Sequence, residues 1–258
     1  MMLNQLLYGV RRVFWIGLCV FASVSVAATH HATPIRIAVA SNFATTLNTI
    51  LTQYKKSHPQ KVELIVSSTG KLFAQIQAGL NIDIFLAADK ERPMKLFTES
   101  LEVDKEVYLY ALGRLALWSN KEIGESVKAP TILHKARRIA LAKPQLAPYG
   151  QAAQAVLKKW ELWDILQSRY VFGENVQQVY QYMKTQNVEA AFVALSLVLR
   201  ERSVQKSHYF KIPESWHPPI EQYMVRLTTR PEVQKIFNYL KSAEAKEVII
   251  KDGYGVRK

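Results

Sequence analysis

Apolar and polar positions between residues 35 and 100 follow two alternating periods. Mostly apolar runs at 35–40, 62–66 and 82–87 are typical of buried parallel strands. Between these runs, apolar residues recur at helical spacing over 47–54 and 72–80. The pattern predicts a βαβαβ unit whose parallel strands are joined by right-handed helical crossovers.

The later part of the chain repeats this alternation. Strands are predicted at 138–142, 170–172 and 190–195, helices at 151–160 and 176–185, and a loop at 143–150. Two helices are predicted near the end, over 231–240, where Pro231 occupies a favoured first-turn position, and over 243–251, before Gly253.

Two β-like runs, 108–118 and 220–227, connect the two alternations and are long enough to cross between lobes. We therefore predict an α/β fold with two lobes. Lobe one is expected to comprise 29–110 plus 223–258, and lobe two 111–222. Because ligands of parallel sheets bind beyond the carboxyl ends of the strands, we expect a central cleft at those ends.

Residues 1–28 predict a signal peptide. Arg11 and Arg12 precede the apolar run 13–22, and small residues end the segment, as signal peptidase requires. The arginine pair leaves a twin-arginine route open. The single cysteine, Cys19, leaves a lipid anchor open, although Leu18 before it is larger than a lipoprotein signal requires. We expect ordinary export to the periplasm, without the lipid and without a cysteine in the mature protein.

The composition limits the classes of binding partner that we expect for this protein. The 258 residues are 49% hydrophobic, which is enough for a large core, and the formal net charge is +13. Lysines and arginines are scattered and form no basic stretch interleaved with aromatic residues, so we expect no nucleic-acid partner. A positive surface favours the arrival of an anion.

Four predicted strand-to-helix turns carry small, hydroxyl or amide residues. They are Ser41-Asn42, Ser68-Thr69-Gly70, Tyr149-Gly150 and Glu174-Asn175-Val176. The start of a helix exposes unpaired N–H groups and a partial positive charge, so it suits an anion. Hydroxyl groups and the Asn42 amide add donors. Each turn taken alone also has a plainer explanation. The first two are typical helix caps, Tyr149 is typical of a surface or packing aromatic, and the Val176 side chain suits the core. An anion site is indicated only if all four turns meet in one cleft.

Other chemistry is weakly indicated. Asp83 and Asp89 flank a predicted strand on the same side, but are too far apart to act as a carboxylate pair, and we interpret Asp89 as a helix cap. Only His30 and His31 are adjacent among six histidines. The sequence contains no P-loop, G-x-S-x-G or H-E-x-x-H motif. We expect no cofactor and no protein-bound metal cation.

The sequence resembles the periplasmic molybdate-binding proteins of ABC transporters in seven segments that span the mature chain in order. They are AVASNF (38–43), SSTGKL (67–72), DIFLAAD (83–89), AKPQLAPYG (142–150), GENV (173–176), AFVAL (191–195) and GYGV (253–256). The resemblance implies the type II periplasmic binding protein fold, with two hinge crossings and a central ligand cleft.

The resemblance also implies the ligand contacts. Ser41, Asn42, Thr69 and neighbouring Ser68 match contacts from one lobe, and Tyr149 and the Val176 N–H match contacts from the other. Two departures stand out. Thr69 occupies a position where the family often has serine, and Tyr149 replaces a small residue while Ala194 occupies the position of a tyrosine in some members. We expect Tyr149 to supply the hydroxyl that Ala194 lacks.

These features predict a monomeric solute-binding protein, not an enzyme, that captures molybdate and also tungstate for an ABC transporter membrane permease. Cavity size would separate molybdate and tungstate from the smaller sulfate. A sulfate or other tetrahedral oxyanion binder of the same fold remains an alternative. An exported α/β enzyme acting on an anionic substrate is another, with His134 and Glu174 as the nearby candidate bases.

Overall fold

The computed structural model describes residues 33–99, 106–123, 128–201 and 203–257. The predicted signal peptide, Cys19 and the His30-His31 pair lie outside these residues. Within them, no helix is long and apolar enough to cross a membrane.

Strands alternate with helices along most of the described chain. In chain order the strands are β1 (Ile35–Ala40), β2 (Val62–Ser67), β3 (Ile84–Leu86), β4 (Glu106–Gly113), β5 (Leu115–Ser119), β6 (Ile139–Ala142), β7 (Tyr170–Gly173), β8 (Ala190–Ala194), β9 (Tyr209–Lys211) and β10 (Ile220–Arg226). The helices are α1 (Ala44–Tyr54), α2 (Thr69–Gln77), α3 (Glu91–Glu99), α4 (Lys128–Lys135), α5 (Pro148–Lys159), α6 (Val176–Lys184), α7 (Leu195–Arg200), α8 (Pro231–Leu240) and α9 (Ala243–Lys251).

The strands form two mixed sheets, each with three adjacent parallel strands on one side. The first has the order β2-β1-β3-β10-β4, in which β1 is parallel to β2 and β3 while β10 is antiparallel to both its neighbours. The second has the order β7-β6-β8-β5-β9, in which β6 is parallel to β7 and β8 while β5 is antiparallel to β8 and β9. We call the part built on the first sheet lobe one and the part built on the second lobe two.

The chain passes between the sheets at Arg114, and returns between β9 and β10. The predicted single run 108–118 is therefore two strands, β4 in lobe one and β5 in lobe two. The second predicted crossing, 220–227, begins as β10 already within lobe one. These positions lie close to the predicted lobe boundaries, and the boundaries themselves stay a prediction.

Each sheet is covered by helices on both faces because side chains alternate along its strands. Along β1, Ile37 and Val39 enter one core with α1, α8 and α9, whereas Ala38 enters a second core that includes Leu72 of α2. The core of lobe two surrounds β6 and β8, whose residues are all fully buried. Near-continuous apolar strands are the signature of sheets buried on both faces.

The predicted loop over 143–150 was wrong at its end, because α5 begins at Pro148 and includes Tyr149 and Gly150 in its first turn. Proline favours this position, since its missing N–H would have no partner there. The sequence patterns also missed α4, α7 and β9, which are short.

Candidate functional site

All six predicted site residues line one small cavity between the lobes. They are Ser41, Asn42, Ser68, Thr69, Tyr149 and Val176, and Ala40, Ala88, Ala147, Pro148 and Asn175 complete the lining. Its empty volume is about 190 Å³, counting the part that opens to solvent. A cavity this small suits a compact ion and not a larger organic ligand.

Two larger hollows of about 690 and 750 Å³ lie in lobe two, and both include Ser119 and Asn120 in their linings. They are bordered by long charged side chains such as Lys184 and Lys135. The smaller cavity is the better candidate because its polar lining is buried and drawn from separate turns of both lobes.

Ser41 and Asn42 follow β1 at the carboxyl edge of the first sheet. The Ser41 N–H donates to the Ser67 carbonyl oxygen at 2.9 Å, which joins this turn to the end of β2. Asn42 is 2% exposed, and its Nδ2 atom donates to Gln222 Oε1 at 2.9 Å and to Tyr254 Oη at 3.3 Å. The amide that the sequence suggested as a ligand donor is therefore already engaged, and the main-chain N–H is the donor that Asn42 can offer.

Ser68 and Thr69 begin α2. Ser68 is its N-cap, and its Oγ atom accepts a hydrogen bond from the Lys71 N–H at 3.4 Å. Thr69 Oγ1 accepts from the Ala88 N–H at 3.0 Å. A hydroxyl group carries one proton and two lone pairs. Because each oxygen already accepts from the main chain, each hydroxyl keeps its proton for a further acceptor.

Tyr149 supplies the corresponding hydroxyl from lobe two. Its side chain is 2% exposed, and its oxygen accepts from Gln222 Nε2 at 3.3 Å and from the Arg114 N–H. Burial, followed by the nearby Tyr254, raises the pKa of Tyr149 well above its ordinary value. The phenol therefore stays protonated near neutral pH and retains a proton to donate.

Val176 is the first residue of α6 and contributes only main chain to a polar contact. Its N-cap, Asn175, accepts the Gln178 N–H at 3.0 Å through Oδ1. The N–H groups of a helix's first turn have no acceptor within the helix. The N-terminal ends of α2, α5 and α6 all reach the cavity, so three partial positive charges converge there.

Charged side chains stand outside the cavity. Of the residues that line it within the described chain, none is Lys, Arg, Asp or Glu. Nearby, Glu174 of lobe two pairs with Lys143 at 2.7 Å and with Lys71 of lobe one. Hydrogen bonds from Lys143 and then Lys71 lower the pKa of Glu174 to about 2. This ion-pair cluster connects the two lobes.

A main-chain contact also joins the lobes at the cavity. The Gly70 N–H donates to the Leu146 carbonyl oxygen at 2.9 Å. Gly70 lies in α2 and Leu146 just before α5, so the bond connects two of the helix starts that line the site. The structure thus has the lobes in contact, as in a closed binding protein.

The structure does not bring the two candidate bases together. His134 lies exposed near the end of α4 and is absent from the cavity lining, and Glu174 is held by its two lysines. The expectation that both are near the cleft was wrong for His134. Among the described residues, no group of three or more His, Cys, Asp or Glu could hold a metal ion.

Sequence reasoning missed the buried network behind the cavity. Gln222, Tyr110 and Tyr254 link the Asn42 turn to Tyr149, and Tyr254 Oη donates to the Asn42 carbonyl oxygen at 2.7 Å. Tyr254 also accepts from Ser196 Oγ of lobe two at 3.0 Å. Two signals were available: the glutamine within the β-like run 220–227, and Tyr254 in the segment GYGV (253–256).

Comparisons with known proteins agree with this geometry. The profile of the family described as bacterial extracellular solute-binding protein matches residues 35–255. The chain is 36% identical to the molybdate-binding protein ModA of Azotobacter vinelandii over 88% of this chain and 91% of that one. It is 31% identical to ModA of Rhodobacter capsulatus over 84% and 86%. The solved periplasmic molybdate-binding protein of A. vinelandii superimposes with a TM-score of 0.80 at 27% identity, covering 87% of this chain and 100% of that one.

Proposed function

The chain belongs to the family of bacterial extracellular solute-binding proteins, and from that premise we propose that it captures molybdate, and also tungstate, for the permease of an ABC importer. Relatives at 36% and 31% identity carry the name molybdate-binding protein, and the match extends over most of the chain.

One observation carries the proposal: uncharged donors from both lobes converge on one small, buried cavity. Thr69 and Ser68 in lobe one and Tyr149 in lobe two each hold an oxygen that already accepts a protein hydrogen bond. All three can therefore donate to the same anion. Burying an anion is very unfavourable unless donors replace its water. Hydrogen bonds to a charged acceptor are roughly twice as strong as neutral ones, so such a set can hold a dianion without a lysine or arginine contact.

The same donors favour a fully ionised oxyanion. Each hydroxyl offers its proton, so an anion whose oxygens are all free to accept satisfies the site, whereas an acidic proton on the ligand would meet another proton. Molybdate and tungstate are dianions of this kind. Sulfate has the same charge but is smaller, and we expect a poorer fit to donors held at fixed positions.

We further propose a role in binding and not in catalysis, in the periplasm, as a monomer. The cavity lining within the described residues offers donors but no carboxylate, imidazole or thiol. The periplasmic location is supported by the predicted signal peptide at 1–28 and by the A. vinelandii structure, which is described as periplasmic.

Calorimetric titration of the mature protein, from residue 29 onward, with molybdate, tungstate, sulfate and phosphate tests the proposal. We expect molybdate and tungstate to bind far more tightly than sulfate, and Tyr149→Phe to weaken molybdate binding. A buried hydrogen bond to a charged group contributes about 1.5–3 kcal/mol, or about 10- to 150-fold in affinity.

Tyr209→Phe is the matched control, since Tyr209 lies on the edge strand β9 and is absent from the cavity lining. It should bind as the unaltered protein does. Preference for sulfate would overturn the proposed ligand, and full affinity in Tyr149→Phe would remove that hydroxyl from the site.

A further inference from the structure

Gln222 is a fully buried amide at the junction of the two lobes. Its exposed fraction is 0%, and it lies on β10 of lobe one. Its Oε1 atom accepts from Asn42 Nδ2 at 2.9 Å and lies 3.0 Å from Tyr110 Oη. Its Nε2 atom donates to Tyr149 Oη of lobe two at 3.3 Å. One side chain therefore contacts proposed binding residues of both lobes.

The local backbone is shaped around this amide. The pairing of β10 with β4 shifts register between Gln222 and Tyr223, as a β-bulge does where a side chain must be redirected. Gly113 of β4, which pairs with Ile220 two residues before Gln222, leaves room for this amide. A Cβ atom at position 113 would lie 2.5 Å from Tyr149 Oη and 2.8 Å from Gln222 Nε2. The bulge and the glycine together allow the amide and the phenol to meet.

The amide determines which way the Tyr149 proton can point. Two donors, Gln222 Nε2 and the Arg114 N–H, occupy lone pairs of the Tyr149 oxygen. The phenolic proton then has no acceptor on that side and is left for the cavity. An apolar side chain at position 222 would remove one of these donors and leave the hydroxyl free to turn.

Asn42 depends on the same amide. Its Nδ2 atom donates to Gln222 and Tyr254, and these bonds orient the turn that lines the cavity. A buried amide that lost its acceptor would carry a desolvation cost. Gln222 thereby couples the start of α1 in lobe one to the start of α5 in lobe two.

We propose that Gln222 is a positioning residue for oxyanion binding, which directs the Tyr149 proton to the ligand and holds the Asn42 turn. Gln222 acts through these two residues. It is not itself one of the described residues that line the cavity. The inference rests on the proposed function.

A double-mutant cycle tests the route through Tyr149. Molybdate affinity is measured by calorimetry for the unaltered mature protein, Gln222→Met, Tyr149→Phe and the double variant. Methionine is similar in length to glutamine but cannot donate to the phenol. We expect Gln222→Met to weaken binding by about tenfold, the size of effect typical of a buried hydrogen bond. In the Tyr149→Phe background the loss should shrink to about threefold or less, with the Asn42 contact accounting for what remains.

Gln181→Met, on the exposed surface of α6, is the control for the substitution itself and should bind normally. Thermal unfolding of each ligand-free variant checks folding. If Gln222→Met proves unstable, Gln222→Glu replaces it in the cycle. A carboxylate accepts the Tyr149 proton instead of donating, so its penalty should also shrink when Tyr149 is absent.

The outcomes separate the two proposals. If the unaltered protein binds no oxyanion, the proposed function fails and this inference fails with it. If the unaltered protein binds molybdate but the two substitutions act additively, or Gln222→Met binds normally, only the role of Gln222 is overturned. Coupling between the substitutions supports it, because a purely structural defect would weaken binding equally in both backgrounds.

Discussion

We expect the substitution Gly70→Ala to oppose closure of the two lobes without destabilising the fold. Gly70 is the second residue of α2, and its N–H donates to the Leu146 carbonyl oxygen of the other lobe. A Cβ atom at position 70 would lie 3.0 Å from that oxygen and 3.2 Å from Leu146 Cα. Both neighbours are backbone atoms and cannot rotate away. The three nearest atoms all belong to Leu146, so the added methyl group presses on the opposite lobe.

Two free-energy terms of opposite sign follow. Overpacking a close contact costs about 1–3 kcal/mol, and here the cost arises only when the lobes meet. Alanine in a helix is favoured over glycine by about 0.5–1 kcal/mol, and this gain applies whether the lobes are open or closed. The helix term cancels in the binding equilibrium, so we expect affinity to fall by about 5- to 150-fold. The ligand-free protein should unfold at the same temperature or slightly higher.

Calorimetry with molybdate gives the first quantity and calorimetric unfolding without ligand gives the second. Gln75→Ala, on the exposed side of the same helix, provides a control that alters α2 without approaching the other lobe. Unaltered affinity in Gly70→Ala would refute the closed arrangement of Gly70 and Leu146. A marked drop in the unfolding temperature would show that the contact supports the fold itself.

Substitutions at three other positions are expected to give contrasting results. Lys71→Gln removes the cross-cleft ion pair with Glu174, so molybdate affinity should fall, and the loss should diminish in high salt. Because pairing lowers the pKa of Glu174 to about 2, the carboxylate remains ionised at both about pH 5 and about pH 7, and calorimetry at these values should show the same loss. Asp83→Asn weakens the ion pair of the buried Asp83 with the partly exposed Arg230, and should lower the free energy of unfolding in urea by about 1–3 kcal/mol without changing affinity. Thr69→Val keeps the shape but removes the hydroxyl, and should weaken binding by about 10- to 150-fold in calorimetry, whereas Thr69→Ser should retain most of the affinity.

The fold was predictable from the sequence where one periodicity dominated a whole segment. The apolar run at 35–40 became β1 with the same bounds, and the helical spacing over 47–54 became most of α1. The predicted two-lobed α/β architecture is confirmed by the superposition on the A. vinelandii protein. Such segments are readable because strand and helix burial each leave a period in the sequence.

Short elements and element ends were not predictable in this way. Helix α7 spans Leu195–Arg200 directly after β8, with no polar turn between them, so no change of composition marks the boundary. The start of α5 at Pro148 was hidden because proline also suits loops. Tertiary packing determines where both helices begin, and it depends on contacts with residues that are distant in sequence.

The available donor atoms of the candidate site were even harder to predict from the sequence. Residue types at the turns indicated donors, but not which of their atoms remain available. Asn42 looked like a side-chain donor, yet Gln222 and Tyr254, which are distant in sequence, occupy its amide. Ser68, Thr69 and Tyr149 gain their role from what each oxygen already accepts, and three of those donors are main-chain N–H groups of Lys71, Ala88 and Arg114.

On the proposed function, ligand preference resides in the second layer of contacts as much as in the residues that would contact the anion. A hydroxyl can donate or accept, so a ring of free hydroxyls would accommodate protonated and ionised ligands alike. Once Lys71, Ala88 and Gln222 have filled one acceptor position on each oxygen, the ring presents protons toward the cavity. Changing a residue outside the cavity, such as Gln222, should then alter affinity without altering the list of residues in contact with the ion.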